Sequence, residues 1–302
     1  MINFIFLGIL LSCFCTVGAH ALAGETERAR IDKTTKWLCY YGDDRRVLDV
    51  EGYELLILES ESIGDLFDAD KKGRICVGYM SVGEAERNRW FYPDIKNKPW
   101  VLDVNPEWPD SRLVDPRSEE WRDLVVNYIA AGIVDAGYDG FILDNVDTAE
   151  ELLRRDPELY QGADDAMASI LKALRETYPD KTIIANGGLS IVPLAFDSVD
   201  AVMYEGTYSS WKRLEDNTFI YAEISPKNKT WQRPRLLRIK AAGLPILALE
   251  YADPADPDGI RRVRDAVVKA GNNPYVSQRA LDTFPGSHAL LPLAEDEEED
   301  ED

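Results

Sequence analysis

The feature that most restricts the fold is a recurrence. Short runs, apolar almost throughout, return at residues 37–42, 53–59, 74–82, 141–145, 182–186, 201–205, 245–251 and 274–279, and several break off in carboxylates, amides or tyrosines. The clearest is Gly137-Tyr138-Asp139-Gly140-Phe141-Ile142-Leu143-Asp144-Asn145-Val146-Asp147, where a glycine turn leads into a buried run that ends in acids. A strand that is apolar throughout, rather than alternating, is buried on both faces, as in a parallel sheet covered by helices.

The segments between the runs read as those helices. Asp115-Pro116 reads as an N-cap with proline at the first helical position, followed by the apolar positions Trp121, Leu124, Val125, Tyr128 and Ile129 and by a closing Gly137. Ala166, Met167, Ile170, Leu171 and Leu174 form a second stripe; Ile260, Val263 and Val267 form a third. Residues 253–259 read as the N-cap of that last helix rather than a calcium loop, since they lack a bidentate glutamate at the right distance. Eight βα units predict a single-domain (β/α)8 TIM barrel. A doubly wound open sheet would carry a glycine-rich phosphate turn after its first strand, and Gly42-Asp43-Asp44 would repel phosphate instead. Two long connections, 83–115 and 207–231, are rich in aromatic residues and are expected at the active-site face.

Met1 to Ala23 is an apolar run ending in small residues, read as a signal peptide over 1–23. The domain is then 24–294, followed by an acidic tail over 295–302. The expected location is secreted or periplasmic, with no membrane attachment after cleavage, and a monomer is expected. The net charge is −21, and −13 without the eight acids of the tail, which argues against nucleic acid and would attract a cationic ligand. After signal removal two cysteines remain, Cys39 and Cys76, both in strand-like runs and read as buried free thiols. The two histidines are His20, inside the signal, and His288, so a histidine-based triad or zinc site is excluded, and no metal or cofactor is expected.

Carboxylates, tyrosines and amides must therefore carry the chemistry. In a parallel barrel the strand ends converge on one pocket, which gathers Glu84, Asp144, Asn145, Asp147, Asn186, Tyr204, Glu205, Glu250 and Tyr251. Such a ring suits glycosidic cleavage, which needs one protonated and one ionised carboxyl. Asp144 and Glu205 end next-but-one strands and are the leading pair, with Glu250 and Glu84 as rivals. Tyr40, Asp43, Tyr79, Glu84, Asn145, Asp147, Asn186, Tyr204, Trp211, Glu250 and Tyr251 are the expected substrate contacts.

The motifs Gly78-Tyr79-Met80-Ser81-Val82-Gly83-Glu84-Ala85-Glu86 with Arg89, Gly140-Phe141-Ile142-Leu143-Asp144-Asn145-Val146-Asp147, Ala185-Asn186-Gly187-Gly188 and Tyr204-Glu205-Gly206, in this order, resemble those of glycoside hydrolases related to the endo-α-1,4-polygalactosaminidases, family 114. The resemblance covers roughly residues 36–282. It implies a (β/α)8 barrel, Asp144 and Glu205 as the catalytic pair, and an amino-sugar polysaccharide, possibly cationic, as substrate. On this reading Asp144 is the nucleophile of a retaining reaction and Glu205 the general acid/base; the reverse order and an inverting course stay open. A non-catalytic carbohydrate-binding barrel and a hydrolase for a neutral α-glycan are the alternatives.

Overall fold

The computed structural model describes residues 31, 36–216 and 218–285, so the expected signal segment and the acidic tail lie outside the described residues. Eight parallel strands form one sheet: β1 (Trp37–Tyr40), β2 (Leu55–Leu58), β3 (Ile75–Ser81), β4 (Gly140–Asp144), β5 (Thr182–Asn186), β6 (Ala201–Glu205), β7 (Ile246–Tyr251) and β8 (Asn273–Ser277), paired in that order. Each expected run overlaps one of them. The ring is drawn shut between its first and last strands: Trp37 Nε1 donates to the Asn273 carbonyl (3.3 Å), the Tyr41 amide donates to the Leu281 carbonyl (2.7 Å), and the Trp37 and Tyr275 rings lie 5.4 Å apart. The result is a nearly closed (β/α)8 barrel.

The strands hold because both faces lose water. Leu55, Leu56, Ile57 and Leu58 are all fully buried, and each such side chain contributes about 1.5–3 kcal/mol of transfer free energy. Cys39 and Cys76 are buried free thiols, as expected. Asp139, at the N-terminal end of β4, accepts from the Cys76 amide (2.9 Å) and pairs with Lys71 (2.6 Å), which fixes the bottom of the barrel far from the chemistry.

The helical layer departs from the expected pattern in one place. Glu119–Leu124, Val125–Ile129 and Ala130–Asp135 run on as one helix, α1, whose middle segment is a π turn. Its N-cap is Ser118, whose hydroxyl accepts from the Trp121 amide (3.2 Å), and not Asp115, which caps a preceding turn through the Arg117 amide. The wider π turn shifts the stripe, so Val126 is buried and Tyr128 is turned out to solvent. The longer helices α2 (Thr148–Arg155), α3 (Ala163–Thr177), α4 (Pro226–Ala241) and α5 (Pro257–Lys269) lie in the connections that follow β4, β6 and β7. Met167, Ile170, Leu171 and Leu174 of α3 are buried, and Asp256 caps α5 by accepting from the Gly259 amide (2.9 Å). No described helix is long and apolar enough to cross a membrane.

The two long connections contain secondary structure that their composition hides. The first folds into a three-stranded antiparallel sheet of Glu84–Glu86, Ser111–Val114 and Val101–Val104; the second opens with the hairpin Ser209–Arg213 and Phe219–Glu223, and α4 starts before Trp231. Both sit above the C-terminal strand ends.

Close approach of β4 to β5 requires glycine at position 140, where a Cβ would lie 1.9 Å from the Thr182 carbonyl oxygen. Gly140→Ala is expected to destabilise the fold by about 3 kcal/mol. Gly132→Ala in α1, where a Cβ meets nothing within 4 Å, is expected to stabilise it by up to about 1 kcal/mol. Denaturant midpoints of the two variants against wild type check both signs.

Candidate active site

Strand parity decides which side chains enter the pocket. Successive residues point to opposite faces, and the inward set near the C-terminal ends comprises Tyr79 on β3, Asp144 on β4, Asn186 on β5, Glu205 on β6 and Tyr251 on β7. Registers that align Ser81 with Asp144, Leu143 with Ala185, Asn186 with Met203 and Leu249 with Glu205 bring these to one level.

Asn186 sits between the two acids. Its Nδ2 donates to Asp144 Oδ1 and to Glu205 Oε1, each at 2.8 Å, so those oxygens are at most about 5.6 Å apart, twice the shared bond length. The remaining oxygens are held as well. Tyr251 donates to Glu205 Oε2 (2.5 Å), Tyr79 Oη lies 2.8 Å from Asp144 Oδ2, and the Asn145 amide donates to Asp144 Oδ1 (2.9 Å). Asp144 is half-buried, and its pKa is raised by loss of water and then by the Glu205 charge, with the bonds from Tyr79, Asn186 and Asn145 acting in the opposite direction. Glu205 stands at the exposed mouth.

The backbone turns sharply beyond Asp144. Asn145 has φ +60°, a left-handed conformation that asparagine tolerates, and its side chain accepts from Ser81 Oγ (2.7 Å). Its carbonyl packs where a Cβ on Gly83 would lie 2.1 Å away. Asn145 therefore shapes the turn and holds Asp144 by its amide, instead of offering its side chain to a ligand.

Tyr79 belongs to a second chain of contacts. Its hydroxyl also lies 2.7 Å from Glu86 Oε1; Glu86 is paired with half-buried Arg89, and Arg89 reaches Glu59 through two bonds (2.9 and 2.8 Å). A phenol has one proton to donate, so Tyr79 serves one carboxylate at a time, and Glu86 competes with Asp144 for it.

Other expected contacts fall elsewhere. Tyr40 alternates outward: it is buried against Phe284, and its hydroxyl accepts from the Asp44 amide (2.9 Å). Tyr41 takes the inward place; its hydroxyl is buried beside the Cys39 thiol with no oxygen or nitrogen partner among the described residues, and the charges of Asp144 and Glu205 act on it. Glu250 is also a correction. It is fully buried, and its two oxygens accept from the amides of Thr207 (2.9 Å), Tyr208 (3.1 Å) and Ser209 (2.7 Å), which anchors the loop after β6. Glu84 is buried and accepts from Asn105 Nδ2 (2.7 Å), a bond inside the small sheet; burial raises its pKa. Tyr204 lies on the face of β6 opposite Glu205, near Asp147 and Glu150. Asp43 is exposed in the loop after β1, and Trp211 lies in the hairpin above the mouth. Asp147 is exposed on the rim, where crowding by the surrounding protein, then the Asp144 and Glu150 charges, push its pKa up to about 7. Sequence reading missed Tyr41 and Glu86 as members of this network. Tyr40 and Tyr41 are adjacent, and parity alone separates them.

Two carboxylates bridged by an amide at the C-terminal ends of barrel strands are an arrangement that can serve glycosidic cleavage. The model of glycoside-hydrolase family GH114 matches residues 23–289, and the chain belongs to that family. An uncharacterised protein of Thermotoga maritima is 28% identical over 237 residues, covering 74% of this chain and 70% of that one. An uncharacterised protein of Methanocaldococcus jannaschii is 29% identical over 229 residues, covering 70% of this chain and 64% of that one. Among solved structures, the glycoside hydrolase domain of PelA from Pseudomonas aeruginosa superposes with a TM-score of 0.72 at 24% identity, over 83% of this chain and 97% of that domain. Ega3 of Aspergillus fumigatus, in complex with galactosamine, gives a TM-score of 0.60 at 17% identity, over 83% of this chain and 94% of that one.

Two outcomes test this geometry. Tyr79→Phe removes a bond that favours ionised Asp144, so the acidic limb of the kcat/KM profile is expected to move to higher pH and the rate to fall about ten- to hundredfold. For Asp147 the folded pKa lies above the unfolded value, so ionisation costs the folded state stability as pH rises from about 4 to about 7. Asp147→Asn is therefore expected to raise Tm at pH 8 more than at pH 4, read by thermal melts at the two values.

Proposed function

We propose that this protein is an exported hydrolase that cuts within an amino-sugar polysaccharide, an α-1,4-linked galactosamine polymer or one like it, with retention at the anomeric carbon. The observation that carries the reading is the shared Asn186 amide. It keeps the facing oxygens of Asp144 and Glu205 within about 5.6 Å, compatible with the about 5–5.5 Å of retaining enzymes and below the about 6.5–9.5 Å of inverting ones. The amino-sugar assignment draws on family membership and on the galactosamine bound by Ega3. The acidic net charge of −21 favours a polymer that carries ammonium groups. Export rests on the apolar segment 1–23, and the protein is taken to act as a monomer.

In the first step Glu205, protonated, gives its proton to the glycosidic oxygen while an oxygen of Asp144 bonds to the anomeric carbon. The C–O bond to the leaving sugar breaks, leaving a glycosyl ester on Asp144. In the second step Glu205, now ionised, takes a proton from water; the water oxygen bonds to the anomeric carbon and Asp144 leaves. One proton between the two carboxyls is enough for the cycle. Three donors surround Asp144, which suits an acceptor that must be ionised to attack, whereas Glu205 stands at the mouth where leaving sugar and water enter.

On a partly de-N-acetylated galactosamine polymer, Asp144→Asn is expected to lower reducing-end release by about 10⁴-fold or more, and Glu205→Gln by about 10²–10⁴-fold. NMR of the first-formed anomer is expected to report the α configuration. Binding without turnover by wild type would favour a carbohydrate-binding barrel, and turnover untouched by both substitutions would remove the assignment.

A further inference from the structure

Three connections meet above the pocket. Trp108 comes from the one after β3, Trp211 and Phe219 from the hairpin after β6, and Arg279 stands two residues beyond β8. The Arg279 guanidinium carbon lies 4.3 Å from the Trp108 ring centre, 4.5 Å from that of Trp211 and 4.3 Å from that of Phe219. Its main-chain amide donates to the Tyr221 hydroxyl (3.3 Å), and the residue lies near Tyr251, the tyrosine that holds Glu205. Arg213 leans over Phe219 (5.7 Å) and donates to the Glu107 carbonyl (2.9 Å). Trp108 is 46% exposed and Phe219 37%.

Among the described residues Arg279 is not paired with a carboxylate: its side chain makes no ion pair and donates no hydrogen bond, and its Nε is buried without a partner. This is unlike Arg46, Arg89, Arg117 and Arg175, each paired with a carboxylate in a chain with 55 acids against 34 Lys and Arg. Aromatic faces stabilise a guanidinium, but they leave its edge donors unanswered. Burial and the Arg213 charge both disfavour the charged form here and hold the Arg279 pKa below its usual value.

We propose that Arg279, framed by Trp108, Trp211 and Phe219, forms a sugar subsite that selects an N-acylated amino sugar over one with a free amine. The terminal N–H groups of Arg279 donate to the acyl carbonyl oxygen, and the rings receive the acyl methyl and the sugar face. The two positive charges, Arg279 and Arg213, repel an ammonium at this position. A uronate-bearing polymer would also satisfy the guanidinium, but it would meet Asp147 and Glu150 beside Asp144; a neutral acyl group is compatible with both sides. The inference deepens the amino-sugar reading above and rests on it.

The test uses two galactosamine polymers, one fully de-N-acetylated and one partly re-N-acetylated, with products sequenced by mass spectrometry. Wild type is expected to favour the partly acetylated polymer by about tenfold in kcat/KM, with the acetylated sugar at one fixed position from the cut. Arg279→Gln, which keeps a donor but removes the charge, is expected to bring that ratio towards one, and Arg213→Gln to move it the same way by less. Acetyl groups scattered at random around the cut, or a ratio unchanged in Arg279→Gln with its Tm preserved, would overturn the subsite. If wild type cuts neither polymer, the hydrolase reading fails by itself and calorimetry decides the subsite. Tighter binding of N-acetylated than of free-amine oligomers, lost in Arg279→Gln, upholds it; equal binding, no binding, or tighter binding of a uronate oligomer overturns it.

Discussion

The site depends on one amide. Two carboxyls stand close together on next-but-one strands, Asp144 half-buried and Glu205 exposed, and the folded chain must hold them there. Asn186 does so with the two hydrogens of a single Nδ2, one to each acid, from the strand that lies between them. A side chain of this shape has its donors on one atom and its acceptor on another, so the same contact that holds both acids also fixes the spacing of the pair. Tyr251 and Tyr79 then take the outer oxygens. The arrangement exists because parallel pairing with these registers brings β4, β5 and β6 to the same height.

Around that bridge the barrel divides labour by strand parity. Inward residues line the pocket, while outward residues at the same strand ends hold the loops. Glu205 and Tyr204 are neighbours in sequence on opposite faces, as are Tyr251 and Glu250. Glu250 ends up with no exposed surface and accepts three successive loop amides. Those bonds set where the hairpin carrying Trp211 leaves the barrel, so a buried acid on the outer face positions an aromatic side chain above the mouth.

The sequence was therefore most informative where physics is local and periodic. All eight strands could be located because a parallel strand buried on both faces leaves an unbroken apolar run, and 182–186 and 201–205 match in full. Asp144, Asn186, Glu205, Tyr79 and Tyr251 could be grouped because they lie in or end such runs. Parity could not be read from the same runs: a strand apolar on both faces gives no alternation, so Tyr40 was preferred to Tyr41 and Glu250 was grouped with the pocket. The small sheet and the hairpin were hidden by loop-like composition, and the π turn in α1 moved Tyr128 off a stripe that a 3.6-residue period places it on. Arg279 carried no local signal, since its surroundings come from three connections far apart in the chain.

Electrostatics gives these pieces a common logic. A strongly acidic chain would attract a polymer of ammonium sugars as a whole, but uniform attraction cannot choose where along a polymer to cut. Choice needs a position at which the general preference is reversed. The mouth has acids on the rim by Asp147 and two guanidiniums on the side of Trp108, Trp211 and Phe219. If Asp144 and Glu205 are the catalytic pair, that polarity would let long-range charge govern capture and the local reversal govern register. Register would in turn determine which bond lies between Asp144 and Glu205, the two acids that Asn186 spans.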